Sequence, residues 1–331
     1  MRILVVGGAG YIGAHAARDL YDRGHDISVL DDLSTGSRQN LFPDEHFFEG
    51  SILDSAFLGR VFDQVRPEGV VHLAALKAAG ESMLEPERYS EHNITGSINL
   101  LNACSSHSVK FFVFSSSAAT YGAPQKLPMD ETHPTSPENY YGYTKLAVEA
   151  MLSWYDRLKN LRFVALRYFN AAGYDAHGRV TALEKNPANL LPVVMEVAAG
   201  LRPNVDVFGD DYPTADGTGV RDYIHVSDLA AAHSLAFEYL AAGNSSRILN
   251  LGVNRGYSVL EVIRTAEAVT GRAIPFRRVA RRPGDPPTVI ADASLAHRVL
   301  GWRANESSLE HLISTTWETY LRAGVVREQG S

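Results

Sequence analysis

A short apolar run, Ile3-Leu4-Val5-Val6, opens directly into Gly7-Gly8-Ala9-Gly10-Tyr11-Ile12-Gly13, and apolar residues at helical spacing continue from Tyr11 to Arg23. Glycines there permit a tight turn between a strand and a helix. They also let the backbone approach a pyrophosphate, whose charge rests at the helix N-terminus. Three glycines alone also suit a plain tight turn. The spacing is Gly7-x-x-Gly10-x-x-Gly13, and its position, between strand and helix at the start of the chain, favours a dinucleotide site. Gly7, Gly10, Tyr11, Ile12 and Gly13 are its candidate contacts.

The strand–helix theme repeats through the first half of the chain. Ile27–Leu30, Val70–Leu73, Phe111–Phe114 and Phe163–Leu166 are short continuous apolar runs rich in Val, Ile and Phe, as expected of strands buried on both faces. Between them, Pro86–Ser106 and Asn139–Leu158 have helical spacing. The alternation predicts an α/β chain with a doubly wound parallel Rossmann-type sheet. Its ligand crevice lies at the carboxyl ends of the strands. Beyond residue 171 the regularity fades. Helices are expected at Leu191–Ala199, Val226–Leu240, Ser258–Thr270 and Ser308–Leu321, with strands at Val205–Phe208 and Ile248–Leu251. Residues 1–170 read as a dinucleotide-binding domain and 171–331 as a smaller α/β substrate domain, with about 221–252 returning to complete the first sheet.

Composition removes several classes of function. The 31 Lys and Arg are outnumbered by 38 Asp and Glu, and a net charge of −7 repels nucleic acid and anionic membranes. The run Arg277-Arg278-Val279-Ala280-Arg281-Arg282 is basic, but no aromatic residue interleaves it. One cysteine, Cys104, forbids an internal disulfide and any multi-cysteine metal centre, and no metal site is expected. No 18-residue uncharged apolar stretch is present, and the apolar run at the start is too short for a signal peptide. The expectation is a cytoplasmic protein.

The second apolar run ends in Asp31-Asp32, and an acidic side chain at that point accepts from the adenine ribose hydroxyls and repels a 2′-phosphate. NAD is therefore expected rather than NADP, with Asp31 as the contact; the alternative is an acidic pair in a surface turn. Tyr141 and Lys145 lie four apart on one helix face. With 15 Tyr and only six Lys, about 0.3 such pairs arise by chance, so the spacing alone is suggestive. Its chemistry is more pointed. An ammonium and a nicotinium charge both favour the phenolate, which can serve as a general base. Phe111–Phe114 runs into Ser115-Ser116-Ser117, placing Ser117 to bond the same substrate oxygen, unless the serines are only a polar strand exit.

The glycine turn, Asp31, Ser117, Tyr141 and Lys145 together resemble the extended short-chain dehydrogenase/reductase family. Further segments are similar to its UDP-glucose 4-epimerase branch: His72–Ser82, Ser115–Gly122, Arg167-Tyr168-Phe169-Asn170, Ala188–Pro192, Asp211–Thr214, Asp216–His225 and Arg281–Asp285. The resemblance runs to about residue 320. It implies that Ser51, Ile52, Lys77, Asn93, Ser115 and Tyr168 join the cofactor site, with Lys145 on the nicotinamide ribose. By the same resemblance, Asn170, Asn189, Leu190, Phe208 and Tyr223 hold a uridine nucleotide sugar, Arg221 and Arg282 clamp its diphosphate, and Asp285 takes the uridine ribose. Two guanidinium forks suit a diphosphate. Two positions depart from the family pattern: Val6 replaces the usual Thr, and Ser51 replaces the usual Asp. Both weaken adenine-side contacts.

The resemblance implies inversion at C4 of a UDP-hexose through a transient 4-keto sugar. A nucleotide-sugar dehydratase or decarboxylase is the nearest rival, but such enzymes carry acidic residues where Ala118-Ala119 stand, and alanines transfer no protons. A UDP-pentose 4-epimerase on the same scaffold and a non-catalytic NAD-sensing protein are more distant rivals. Val289 corresponds to a wall of the sugar pocket that is Tyr in forms restricted to plain hexoses. A smaller residue implies room for a 2-acetamido group, hence UDP-GlcNAc and UDP-GalNAc as further substrates. The resemblance also implies a homodimer, with Pro86–Ser106 and Asn139–Leu158 pairing across a two-fold axis.

Overall fold

The computed structural model describes residues 1–42, 46–185, 187–282 and 284–327, so Pro283 of the Arg281–Asp285 run lies outside the described residues. Seven parallel strands form the central sheet: β1 (Arg2–Val6), β2 (Asp26–Asp31), β3 (His46–Glu49), β4 (Gly69–His72), β5 (Phe111–Ser115), β6 (Arg162–Tyr168) and, after four short strands elsewhere, β11 (Arg247–Leu251). Their order is β11-β6-β5-β4-β1-β2-β3. Both faces are covered, which is why the strand sequences are continuously apolar. Ile3 and Val5 enter one core with Val113, Val164 and Leu166; Leu4 and Val6 enter the opposite core with Phe112, Phe114, Phe163 and Ala165.

On the first face the helices Tyr11–Asp22 and Val226–Ala241 pack side by side. On the second lie Ser55–Val65, Gly96–Ser106 and Tyr140–Lys159. The stretch expected as one helix over Pro86–Ser106 is helical throughout. Its winding is not uniform: an α-turn at Pro86–Tyr89, a π-helical segment over Ser90–Thr95 and an α-helix over Gly96–Ser106. The wider winding at Ser90–Thr95 includes Asn93, whose side chain is used elsewhere.

A third core gathers around the helices Leu190–Ala198, Val259–Thr270 and Leu309–Arg322. Short strands decorate it. β7 (Asn170–Ala172) pairs in parallel with β10 (Tyr223–His225), and β8 (Val205–Phe208) with β13 (Phe276–Val279). β9 (Val220–Arg221) lies between β12 (Tyr257–Ser258) and β14 (Thr288–Val289). Chain order reverses between β1 and β4, so a crevice opens beyond their carboxyl ends. No helix among the described residues is long and apolar enough to cross a membrane.

Candidate active site

Gly7 stands at φ +85°, and a Cβ on it would come within 2.6 Å of the Ala74 amide nitrogen at the end of β4. Only glycine fits there. A Cβ on Gly13 would lie 2.1 Å from the Gly7 carbonyl oxygen, so the third glycine lets the helix seat against the turn. Gly10 caps the helix without a side-chain bond, which leaves the first-turn amides of Tyr11, Ile12 and Gly13 without intrahelical acceptors. That is an anion cradle by construction.

Asp31, at the carboxyl end of β2, is buried and accepts from the Ala9 amide at 3.0 Å and the Leu33 amide at 2.8 Å. Burial raises its carboxyl, and these amides partly oppose the rise. Asp31 therefore braces the glycine turn itself. Asp32 is exposed and holds Ser34. Tyr11 turns its ring onto Tyr174, with centroids 5.0 Å apart, and its hydroxyl donates to the Gly173 carbonyl. Ile52 is buried in the second core, Asn99 donates to its carbonyl at 3.1 Å, and the Ser51 hydroxyl accepts from Leu53.

Asn93 grips the chain beside Lys77. Its Oδ1 accepts from the Leu76 amide at 2.8 Å, and its Nδ2 donates to the Leu76 carbonyl at 2.9 Å and to Thr144 Oγ1 at 3.1 Å. Lys77 forms an ion pair with Glu184. Glu184 belongs to a segment that touches the glycine-turn region repeatedly: the Asp175 amide donates to His15 Nε2, the Ala182 amide to Asn40 Oδ1, and Asn40 Nδ2 to the Ala9 carbonyl. Neither Asn40 nor Glu184 stands out in the sequence. A lone polar residue in a loop carries no periodic or motif signal.

Tyr141, Ser117 and Lys145 come together at the end of β5. Asn139 caps the helix Tyr140–Lys159 by accepting from the Gly142 amide, which fixes Tyr141 in the first turn; the Tyr141 amide donates to Ser82 Oγ at 3.0 Å. Burial pushes the Tyr141 phenol above its ordinary range, and a hydrogen bond with Ser117 pulls it back. Lys145 is buried, donates to the Ser115 carbonyl at 2.8 Å, and lies 5.8 Å from the Tyr141 ring centre. Desolvation brings its ammonium down to about 7, with Glu149 opposing. From the sequence, ammonium and nicotinium both draw Tyr141 toward phenolate. In the folded chain desolvation opposes this by favouring the neutral form of both Tyr141 and Lys145.

Behind this set, Ser115 Oγ bonds His233 Nε2 at 3.0 Å and is also hydrogen-bonded to Tyr168. Ser116 donates to Glu149 at 2.5 Å, and Glu149 forms a buried pair with Arg167. Removing either partner of such a pair costs about 3–5 kcal/mol. The serine triplet is thus anchored at all three positions and is more than a strand exit.

The remaining candidates line the side formed by the third core. Asn170 donates through Nδ2 to the Asp222 carbonyl at 2.8 Å. Asn189, exposed, precedes the helix Leu190–Ala198 without capping it, and Leu190 is half-buried in that helix. Arg221 pairs with Asp285, and Arg282 lies 3.8 Å from the Phe208 ring centre. Val289 pairs in register with Arg221, so the two share one face of that small sheet; Tyr223 is buried and pairs with Asn170. A cleft of about 630 Å³ is bounded by Pro124, Leu127, Arg282, Asp285 and Pro287.

The similarities to known proteins agree with this geometry. Residues 3–252 match the sequence profile of the NAD dependent epimerase/dehydratase family. The chain is 46% identical over 317 residues to a UDP-glucose 4-epimerase of Lacticaseibacillus casei, covering 96% of each. A UDP-glucose 4-epimerase from Brucella ovis, solved with NAD, superposes with a TM-score of 0.93 at 43% identity, covering 96% of this chain and 98% of that one. Another, from Stenotrophomonas maltophila with NAD and formylated UDP-arabinopyranose, gives 0.94 at 43%, covering 98% and 99%. With a parallel sheet that reverses at β1/β4, a glycine turn that admits no side chain, and near-full-length likeness to these enzymes, the chain belongs to the NAD dependent epimerase/dehydratase family.

Proposed function

We propose that this chain is an NAD-dependent UDP-glucose 4-epimerase, interconverting UDP-glucose and UDP-galactose through a transient 4-keto sugar. The observation that carries the reading is the cluster of Tyr141, Ser117 and Lys145 at the end of β5, with Ala118 and Ala119 beside it where a dehydratase needs an acid and a base. The likeness to UDP-glucose 4-epimerases over 96% of the chain supports it.

The residues present suit NAD. Gly7, Gly10 and Gly13 with the amides of Tyr11 and Ile12 would receive the pyrophosphate, and Asp31 would take the adenine ribose. Ser51 and Ile52 would serve the adenine end, Lys77, Asn93, Ser115 and Tyr168 would serve the nicotinamide end, and Lys145 would bind the nicotinamide ribose. When bound, NAD supplies a reversible hydride acceptor and a positive charge beside Tyr141. Tyr141 takes the proton of the sugar 4-hydroxyl and later returns it, while Ser117 holds that oxygen in line. Lys145, in its charged form, favours the phenolate and so opposes the desolvation of Tyr141. Arg221 and Arg282 hold the diphosphate, with Asn170, Asn189, Leu190, Phe208, Tyr223 and Asp285 around the nucleotide. Anchoring at the nucleotide leaves the 4-keto sugar free to turn its other face, so binding energy rests on the part that does not react.

Val289, smaller than an aromatic side chain and level with Arg221, supports extending the substrates to UDP-GlcNAc and UDP-GalNAc. Residues 1–170 with the 221–252 segment form the cofactor half, and 171–331 the nucleotide-sugar half; β11 at the edge of the main sheet and the separate third core support this division. A homodimer is supported by Tyr143, Trp154 and Leu158, exposed by 50%, 56% and 69% along one side of the helix Tyr140–Lys159. We place the reaction in the cytoplasm, in keeping with a buried free thiol at Cys104. The test is NMR of purified protein with UDP-galactose and a panel of UDP-sugars. Conversion to UDP-glucose is expected; a persistent 4-keto-6-deoxy product, or no conversion, contradicts the reading.

A further inference from the structure

Asp222 lies on the link between β9 and β10, and its side chain has no exposure to solvent. Its backbone amide donates to the Val289 carbonyl at 3.1 Å, and its backbone carbonyl accepts from both the amide and the side chain of Asn170, at 3.2 and 2.8 Å. Its carboxylate accepts from the Val253 amide at 2.9 Å and the Ala291 amide at 3.2 Å, and from the Asn254 amide. Among the described residues it has no ion-pair partner; backbone N–H groups alone satisfy it. One residue therefore ties together β7, the β9–β10 link, the loop after β11 and the chain at 289–291. Gly252 closes the junction: a Cβ there would lie 2.7 Å from Asp222 Oδ2 and 2.5 Å from Ala291 Cβ.

Three of the joined segments carry residues assigned above to the nucleotide sugar: Asn170, Arg221 and Val289. We propose that Asp222 is a positioning residue for nucleotide-sugar binding, its buried carboxylate fixing the relative placement of Asn170, Arg221 and Val289 without itself touching substrate. The proposal rests on the function proposed above. A carboxylate offers acceptors in every direction these amides approach from, whereas an asparagine turns its NH2 against one of them. Whichever amide is orphaned, Ala291 or the Val253–Asn254 pair, its segment moves, and the diphosphate clamp moves with it.

The test compares wild type, Asp222→Asn and Gly252→Ala for bound NAD, for UDP affinity by calorimetry, and for KM and kcat with UDP-galactose. Gly252→Ala wedges the junction from the other side while leaving the carboxylate intact, so it decides the matter if Asp222→Asn does not fold. Both variants are expected to retain NAD and to weaken UDP binding and raise KM by roughly tenfold, the scale of one buried donor left unpaired, with a much smaller change in kcat. The proposal is overturned if a folded variant binds UDP as wild type does, if kcat and NAD content fall in step with affinity, or if neither variant folds. A wild type that binds no UDP and converts no UDP-galactose overturns the proposed function instead, and shows this before any variant is measured.

Discussion

Tyr141 is held at three points: its amide by Ser82, its hydroxyl by Ser117, and its ring beside the Lys145 ammonium. Removing the hydroxyl leaves the other two in place. Tyr141→Phe should therefore keep its NAD, measured by absorbance after denaturation, while turnover of UDP-galactose drops by about 10²–10⁴. An active variant would remove Tyr141 from the proton-transfer role. Val289 belongs to the same scale. A tyrosine there adds a ring on the face shared with Arg221, where the proposed function would have a 2-acetamido group pass as the sugar turns. Wild type is expected to epimerise UDP-GlcNAc as well as UDP-galactose, and Val289→Tyr to suppress the first while largely sparing the second. Equal loss of both, or no UDP-GlcNAc turnover in wild type, would sink the size-filter idea.

The helix Tyr140–Lys159 carries Lys145, Val148, Glu149 and Leu152 inward while Tyr143, Trp154 and Leu158 face solvent. If that outer stripe joins two copies, Trp154→Glu combined with Leu158→Glu should convert a particle of twice 36.2 kDa into one of the chain mass by light scattering. A double variant that stays at the wild-type mass would place the interface elsewhere. This helix is legible in the sequence to within a residue at each end, as are the strands at Ile3–Val6 and Phe111–Phe114, because a strand buried on both faces leaves a continuous apolar run and a long amphipathic helix leaves a periodic one. Weaker elements escape such a reading. Strand β3 is a four-residue edge strand, and the helix Ser55–Val65 is short, its Leu58, Val61, Phe62 and Val65 at helical spacing but unmarked by any chemical motif. In the site, Tyr141, Lys145 and the glycines announce themselves by spacing. Asn40, Glu149, Arg167 and Asp222 do not, because their partners lie 18 to 142 residues away along the chain.

At the scale of the whole molecule, four histidines are sealed between layers. His15 and His233 are brought down to about 4, and His72 and His225 to about 3, in each case chiefly by desolvation. Their folded values lie below the unfolded value near 6.5, so protonation favours unfolding. Each contributes stability that is complete above about 6.5 and is lost as the pH falls through about 4 or 3. In an NMR titration from about pH 8 to about pH 5, four of the 12 histidine ring signals should stay unmoved; twelve midpoints near 6.5 would contradict the packing described for these layers.

The chemistry at C4 offers a sharper test, because a hydrogen that leaves carbon as hydride does not exchange with water and would return to the carbon it left. The most direct measurement is the fate of deuterium placed at C4 of UDP-galactose and incubated with the protein in ordinary water. The account predicts UDP-glucose that retains its deuterium at C4; product with hydrogen from solvent at that carbon would contradict transient oxidation at C4.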